Sequence, residues 1–254
     1  MGKATLKLDA LIFGGGAAGL WLLDELHRRS FRTVLLENRA LGAGQTIASQ
    51  GILHGGLKYA LAGLLSGSAK AVGEMTDLWR QCLDGLTQPD LRGVRILSPS
   101  CHLWRTESLA SVVGLVGARL GLRTPVAKVA PAERPKPLAA CPGEVLRVDE
   151  QVIDVGSLLA ELADRHTARL LKTGDSGEVT FTASKPGHVD AVELRRTDTN
   201  DVVRLEPGVV IFTAGEGNEE LRRRVGLSIA AMQLRPLHMV MVGGSLPELF
   251  GHCV

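Results

Sequence analysis

The fold is decided by the stretch LDALIFGGGAAG, residues 8–19, near the start of the chain. Its apolar first half predicts a buried strand over Leu8–Phe13, and the leucines spaced along the residues that follow the glycines predict a helix over Ala17–Arg29. A second apolar run predicts a strand over Arg32–Glu37. The chain is therefore predicted to open with a strand, a helix and a second strand, with glycine in the first tight loop.

The loop between the first strand and the helix has GxGxxG spacing, and this position between the two elements gives the motif its meaning. Gly14 allows the tight turn, Gly16 lets the backbone approach a diphosphate, and Gly19 lets the helix pack closely on the strand. Ala17 and Ala18 begin the helix, where unpaired N–H groups and the helix dipole favour an anion. These residues predict a Rossmann-type dinucleotide site.

An acidic residue completes this pattern. Glu37 ends the second predicted strand about 20 residues beyond the glycines, where a carboxylate accepts hydrogen bonds from ribose hydroxyls. Asn38 follows it and is a further candidate cofactor contact. A glycine-rich turn beside a surface glutamate is the simpler alternative, but it does not explain why strand, glycines, helix and acid coincide. These residues leave FAD and NAD both open as the dinucleotide.

The composition is that of an ordinary globular protein. The 254 residues carry a formal charge of only +2 and 4% aromatic residues, so no nucleic-acid partner is expected. No apolar run approaches the roughly 20 residues of a membrane span, so we expect no transmembrane segment, while peripheral membrane contact stays open. Four cysteines without CxxC spacing indicate a reducing compartment, and we expect a cytoplasmic protein.

A second informative stretch, GQTIASQGILHGGLKY, covers residues 44–59. It resembles the flavin loop of the D-amino-acid oxidase and glycerol-3-phosphate dehydrogenase superfamily. Its last six residues are similar to the HGGLRY segment of the membrane-associated glycerol-3-phosphate dehydrogenases, with Lys58 where that group carries arginine. The run VVIFTAG, residues 209–215, resembles a later strand of the same superfamily that packs against the cofactor. The resemblance implies FAD as the cofactor.

The residues of this loop have chemistry that suits a flavin nucleotide. Thr46, Ser49 and Gln50 carry hydroxyl and amide groups that can bond a diphosphate or the flavin edge. Gly51 leaves room for a flat ring. The resemblance also implies cofactor contacts from the three residues at the end of the later strand, Thr213, Ala214 and Gly215. The simpler alternative for the loop is an ordinary connection into an amphipathic helix.

The same resemblance indicates catalytic candidates. Lys58, beside Tyr59, can bind a carboxylate or phosphate of the substrate as a compact positive charge, although lysine lacks the bidentate recognition that arginine gives a phosphate. His238 matches a histidine that faces the substrate in the glycerol-3-phosphate group, and it is our candidate for the base that takes the substrate proton. His54 is implied to lie beneath the flavin. A structural or solvated role is the alternative for each of these side chains.

Two other kinds of site find no support in the sequence. The remaining histidines, including His102, His166 and His252, show no ligand spacing with acids or cysteines, so we expect no metal site. No GxSxG motif is present, so serine hydrolase chemistry is not supported.

The whole pattern predicts an α/β protein: a Rossmann-type FAD-binding domain with an inserted antiparallel-sheet substrate domain. Further helices are predicted at 57–64, 69–83, 107–120 and 155–166, and further strands at 94–97, 101–104, 178–182, 189–195, 209–213 and 238–242. The predicted FAD-binding domain comprises residues 1–90, 146–178 and 205–228, the substrate domain comprises 91–145 and 229–254, and a strand insertion covers 179–204.

The sequence thus predicts an FAD-dependent dehydrogenase or oxidase that oxidises a small anionic alcohol, 2-hydroxy acid or amine. Its partners would be this small-molecule substrate and an electron acceptor, oxygen or quinone. Two alternatives stay open. One is an NAD-dependent dehydrogenase, which shares the glycine motif but gives the 46–59 loop no role. The other is a truncated flavoprotein that binds the ADP part of FAD without turnover, because members of the resembled superfamily generally continue beyond the strand predicted at 238–242.

Overall fold

A computed structural model describes residues 3–55, 67–105, 126–173, 177–196, 201–233, 239–240 and 242–253. The chain divides into two compact units, the first formed by Met1–Ser49 and Val155–His238 and the second by Gln50–Asp154 and Met239–Val254. The finer domain segments expected from the sequence stay a prediction. Among the described residues, no helix is long and apolar enough to cross a lipid bilayer.

Strands and longer helices make up most of the described regular structure. The strands are β1 (Lys3–Phe13), β2 (Thr33–Glu37), β3 (Ile96–Ser98), β4 (Cys101–Trp104), β5 (Val126–Lys128), β6 (Val145–Val148), β7 (Val152–Ile153), β8 (Leu170–Lys172), β9 (Gly177–Lys185), β10 (His188–Arg196), β11 (Val202–Phe212) and β12 (Gly251–Cys253). The α-helices are α1 (Ala17–Arg28), α2 (Gly67–Leu83), α3 (Val155–Asp164) and α4 (Asn218–Arg224). The predicted opening of strand, helix and strand is confirmed.

The first unit is built on a six-stranded sheet in the order β8-β2-β1-β11-β10-β9. The four strands from β8 to β11 run parallel, while β10 and β9 continue the sheet antiparallel. Both Leu11 and Ile12 of β1 are fully buried, although they point to opposite faces, as is typical of a central parallel strand covered on both sides. The helix α1 buries Leu20 and Leu23 and packs against β2 and α3.

The strand β11 begins at Val202, seven positions before the predicted start at Val209. The prediction started too late because a proline and a glycine, which usually interrupt a strand, precede Val209. Pro207 and Gly208 lie inside β11. The antiparallel ladder with β10 ends at Leu205, so the missing N–H of the proline breaks no bond on that side. The parallel register with β1 continues past it and places Phe13 opposite Phe212. The two strands therefore end together at the same edge of the sheet.

The second unit contains a four-stranded sheet in the order β12-β4-β6-β5 and a two-stranded sheet of β3 and β7. The strand predicted over 238–242 is not found at its described residues. Met239, Val240 and Val242 are exposed and lie outside any strand, and no described strand pairs with them. A paired strand is found later in the chain instead, where β12 runs parallel to β4. The helices predicted at 57–64 and 107–120 lie outside the described residues.

Candidate functional site

The glycine loop lies where β1 and β11 end side by side. Gly14 follows β1 with φ of +106°, a conformation that favours glycine. A Cβ atom on Gly14 would lie 2.6 Å from the Cα atom of Ala214, so the two backbones pass too closely for a side chain. Thr213 ties them together, because its amide donates to the Phe13 carbonyl oxygen at 2.8 Å. Its hydroxyl lies 3.0 Å from the Gly14 carbonyl oxygen.

Two further glycines of the motif have different surroundings. A Cβ atom on Gly19 would lie 2.0 Å from the Gly14 carbonyl oxygen, so α1 can approach the end of β1 only because this position carries no side chain. A Cβ atom on Gly16 would meet the Thr46 hydroxyl oxygen at 2.9 Å. Gly16 has φ of −81° and ψ of −176°, an extended backbone that any residue adopts. Gly16 therefore keeps space open, whereas Gly14 and Gly19 allow close packing.

Glu37 points into this loop from the end of β2. Its Oε2 atom accepts a hydrogen bond from the Gly15 amide at 2.7 Å, and its Oε1 atom accepts one from the Arg39 amide at 2.8 Å. The carboxylate is half-buried. Each carboxylate oxygen has a second lone pair, so both can still accept a hydrogen bond from a hydroxyl group. The acid is thus held in place by the backbone beside the glycines.

The start of α1 offers backbone donors. The Ala17 amide donates to the Thr46 hydroxyl oxygen at 3.1 Å. No side chain caps the helix at Gly16, and the amides of Gly16 and Ala18 have no acceptor in the part of the chain that the structure describes. Such amides and the positive end of the helix dipole together suit an anionic group. The hydroxyl of Thr46 can add a donor beside them.

A cavity of about 1280 Å³ opens over this corner of the first unit. Several of the predicted cofactor residues line it: Gly14, Gly16, Ala17, Ala18, Glu37, Asn38, Thr46, Thr213, Ala214 and Gly215. The volume exceeds the roughly 300–1,000 Å³ of most small-molecule sites, as an extended dinucleotide requires. A glycine cradle, free amides and an oriented carboxylate therefore fit the ADP half of FAD.

The other predicted residues lie elsewhere. Among the residues that the structure describes, Ser49, Gln50 and Gly51 do not line this cavity. Ser49 is exposed in the first unit, while Gly51 is buried in the second unit, where its carbonyl oxygen accepts a bond from the Ile153 amide. His54 also belongs to the second unit. Three predicted catalytic residues lie outside the described residues: Lys58, Tyr59 and His238.

Several residues of the cavity wall were missed by sequence reasoning, and three of them make polar contacts there. Arg39 and Glu216 form an exposed ion pair at 3.5 Å on the cavity wall. Asn218 accepts a hydrogen bond from the Ala214 amide at 2.7 Å through its side-chain oxygen and so fixes the turn after β11. Surface charges and a lone asparagine carry no motif, so only the parallel pairing of β1 with β2 and with β11 reveals their place.

Comparison with known proteins identifies the family. The model of the family DAO, FAD dependent oxidoreductase, matches residues 9–246. The chain belongs to this family. The predicted superfamily is thus confirmed, and membership decides for FAD over NAD, which the glycine motif had left open.

The names of individual relatives found by sequence comparison agree with this family. The sequence is 40% identical over 255 residues to a Pseudomonas aeruginosa protein named Probable FAD-dependent oxidoreductase PA4991, covering 98% of this chain and 62% of that one. It is 27% identical to glycerol-3-phosphate dehydrogenase 1 of Mycobacterium tuberculosis H37Rv, over 82% of this chain and 42% of the relative. The chain therefore spans less than two thirds of the length of these relatives.

Solved structures confirm the predicted fold class. The crystal structure of the Pseudomonas aeruginosa FAD dependent oxidoreductase PA4991 superposes with a TM-score of 0.75 and 34% identity, over all of this chain and 60% of that one. Glycine oxidase from Geobacillus kaustophilus has a TM-score of 0.66 at 20% identity, over 87% of this chain and 59% of that one. The second likeness concerns the fold alone. The FAD-dependent oxidoreductase family thus has the α/β architecture described above.

Proposed function

We propose that the protein is an FAD-dependent oxidoreductase that oxidises a small anionic alcohol, 2-hydroxy acid or amine. The observation that carries the proposal is the Glu37 carboxylate, bonded to the Gly15 amide on the wall of a cavity large enough for a dinucleotide. Family membership supports the same cofactor. FAD supplies the hydride acceptor when it is bound.

The residues of the first unit would hold the ADP half of this cofactor. The amides of Gly16 and Ala18 bind the diphosphate at the positive end of α1, and the hydroxyl of Thr46 stands beside them. Glu37 accepts hydrogen bonds from the ribose hydroxyls and would repel a phosphate on that sugar. Asn38 contacts the nucleotide from the same wall.

The residues that would contact the flavin end of the cofactor and the substrate are assigned from the resemblance in sequence. Ser49, Gln50 and Gly51 belong to the loop that resembles the flavin loop, and Thr213–Gly215 to the strand end that packs against the cofactor. In the same assignment, Lys58 and Tyr59 bind the anionic group of the substrate. His238 takes the substrate proton, and His54 lies next to the flavin.

The substrate class is supported by what the relatives are named for. One is a glycerol-3-phosphate dehydrogenase, and a fold neighbour is a glycine oxidase. Both names concern small substrates, an anionic alcohol in one case and an amino acid in the other. We propose oxygen or a quinone as electron acceptor and, from the free cysteines, a cytoplasmic location.

The test is a titration of the purified protein with FAD, followed by anaerobic mixing with 2-hydroxy acids, amino acids and glycerol-3-phosphate. Bleaching of the flavin absorption band by one class names the substrate type. A protein that stays colourless after incubation with FAD contradicts the proposal. Binding of FAD with no bleaching by any class supports the alternative, in which the chain binds the ADP part without turnover.

A further inference from the structure

Three residues far apart in the sequence meet in the second unit. His54 Nδ1 lies 3.5 Å from Glu150 Oε2, and His252 Nε2 lies 3.9 Å from the same oxygen. The two imidazole rings are 4.9 Å apart between centroids. One ligand atom from each of the three residues falls within 4.8 Å of the other two. We propose that His54, Glu150 and His252 form a binding site for a divalent transition-metal ion, with Zn²⁺ as the ion that fits the donors best.

Backbone pairing fixes the three residues independently of their side chains. The Leu53 amide donates to the Gln151 carbonyl oxygen at 2.9 Å, which holds the chain around His54 next to the chain around Glu150. On the other side, β12 carries His252 and pairs with β4, which itself pairs with β6 just before Glu150. A site fixed by two sets of backbone hydrogen bonds is preorganised for a ligand.

The distances favour a metal ion over direct hydrogen bonding. A hydrogen bond between nitrogen and oxygen has a length of about 2.7–3.2 Å, shorter than either contact to Glu150 Oε2. In a tetrahedral zinc site with metal–ligand bonds of about 2.0–2.2 Å, neighbouring ligand atoms are about 3.2–3.6 Å apart. The two contacts between an imidazole and Glu150 Oε2 are thus close to the spacing of a tetrahedron's corners.

The orientation of Glu150 also suits a cation. Its side chain is 1% exposed, and its Oε1 atom accepts a hydrogen bond from the Gly55 amide at 2.5 Å. This bond turns Oε2 toward the two imidazoles. A carboxylate removed from water needs compensating positive charge, which a divalent ion supplies. The backbone amide then has the role of an outer-shell contact that orients a metal ligand.

The donor set indicates the kind of metal, and the exposure of one ligand makes the site accessible from solvent. Two imidazoles and one carboxylate are a ligand set typical of zinc sites that keep a fourth position for water or another small ligand. Imidazole also suits Co²⁺, Ni²⁺ and Cu²⁺, whereas Ca²⁺ and Mg²⁺ prefer oxygen donors. The His54 side chain is 50% exposed, so an ion can reach the site from solvent. The three ligands lie within the second unit, and two of them, Glu150 and His252, take no part in the proposed binding of FAD.

The test is calorimetric titration of the chelator-treated full chain with Zn²⁺. We expect one ion per chain, and binding at least about tenfold weaker in His252→Ala and Glu150→Gln, since loss of even an outer-shell partner costs about 10- to 100-fold. His188→Ala is the matched control, because His188 also faces a carboxylate, Asp190, at 3.4 Å but without a third ligand among the residues that the structure describes. This control should bind Zn²⁺ like the parent.

Circular dichroism shows which variants are folded. If Glu150→Gln unfolds because its residue is buried, His54→Ala replaces it, since that side chain is half-exposed. The proposal is overturned if the parent binds no Zn²⁺, or if folded His252→Ala and His54→Ala bind it as tightly as His188→Ala. FAD titration of the parent, His252→Ala and Glu150→Gln separates this result from the proposed function, because neither residue is among the FAD contacts that we propose. His54→Ala is compared for Zn²⁺ binding alone, since we place His54 next to the flavin.

Discussion

The Oε2 atom of Glu37 accepts a hydrogen bond of 2.7 Å from the amide of Gly15, so the acid at the end of β2 is fixed against the glycine loop at the end of β1. The second oxygen is held by the Arg39 amide. These two bonds aim the carboxylate at the cavity without using up its lone pairs. A ribose placed there would meet a preorganised acceptor.

The first prediction concerns this carboxylate. Glu37→Gln leaves only one acceptor oxygen, which cannot serve both backbone amides and a ribose hydroxyl. We expect FAD to bind about tenfold to hundredfold more weakly, as for loss of a hydrogen bond to a charged group worth about 1.5–3 kcal/mol. Fluorescence titration with FAD measures it. Glu161→Gln removes a carboxylate that pairs with Arg165 away from the cavity, and it should leave the affinity unchanged.

The second prediction tests whether Gly16 is needed to leave space for the ligand rather than to allow a strained backbone conformation. Gly16→Ala is compatible with the extended backbone but places a methyl group 2.9 Å from the Thr46 hydroxyl oxygen, in the path of the diphosphate. FAD affinity should fall while the melting temperature changes little. Gly243→Ala is the control, because Gly243 does not line the cavity and no atom of the described residues lies within 4 Å of its Cβ position. Equal FAD affinity in the two variants would show that Gly16 does not approach the ligand.

The third prediction concerns stability. Gly14→Ala forces a side chain into a φ of +106° and to within 2.6 Å of the Ala214 backbone. Left-handed backbone alone costs about 1–2 kcal/mol for a residue with a Cβ atom, and the contact adds to it. Thermal unfolding should therefore occur at a lower temperature. Gly217→Ala, where the new atom makes an ordinary 3.5 Å contact, should unfold like the parent.

The fourth prediction concerns acid stability. Asp24 of α1 is buried with His166, whose Nε2 atom lies 3.0 Å from its Oδ1 atom, and with Arg28 at 2.9 Å. Burial acts to raise the pKa of Asp24, but the hydrogen bonds from Arg28 and His166 outweigh it, and the pKa is lowered from 3.8. Because the folded pKa is lowered, the stabilisation is present above the ordinary pKa and is lost as pH falls from about 4 through the folded value.

Asp24→Asn should reduce the free energy of unfolding at neutral pH by about 1.5–3 kcal/mol, as expected for hydrogen bonds to a charged group. It should also flatten the dependence of stability on pH below about 4. Urea unfolding at several pH values measures both effects. Asp164→Asn, an exposed aspartate at the end of α3, is the control and should keep the pH dependence of the parent. If Asp24→Asn keeps a steep dependence of stability on pH, other carboxylates cause that dependence.

The opening of the fold was predictable because local signals agree there. The apolar run of β1, the glycines and the period of α1 all indicate the same unit, and Glu37 follows at the expected distance. The start of β11 was not predictable, because Pro207 argues against a strand unless the end of the neighbouring ladder is known.

Long-range contacts explain what else the sequence missed. His54, Glu150 and His252 come together only through strand pairing, so no spacing along the chain could indicate them. One local signal was available. Val148, Glu150 and Val152 alternate along the chain and all are buried, which places the acid on the inner face of that segment.

The central claim is that the corner formed by the glycine loop and Glu37 binds the ADP half of FAD, and competition binding tests it most directly. The protein is loaded with FAD and titrated in parallel with ADP and with FMN, which lacks the adenylate. The account predicts that ADP displaces FAD and that FMN does not. Displacement by FMN but not by ADP would contradict it.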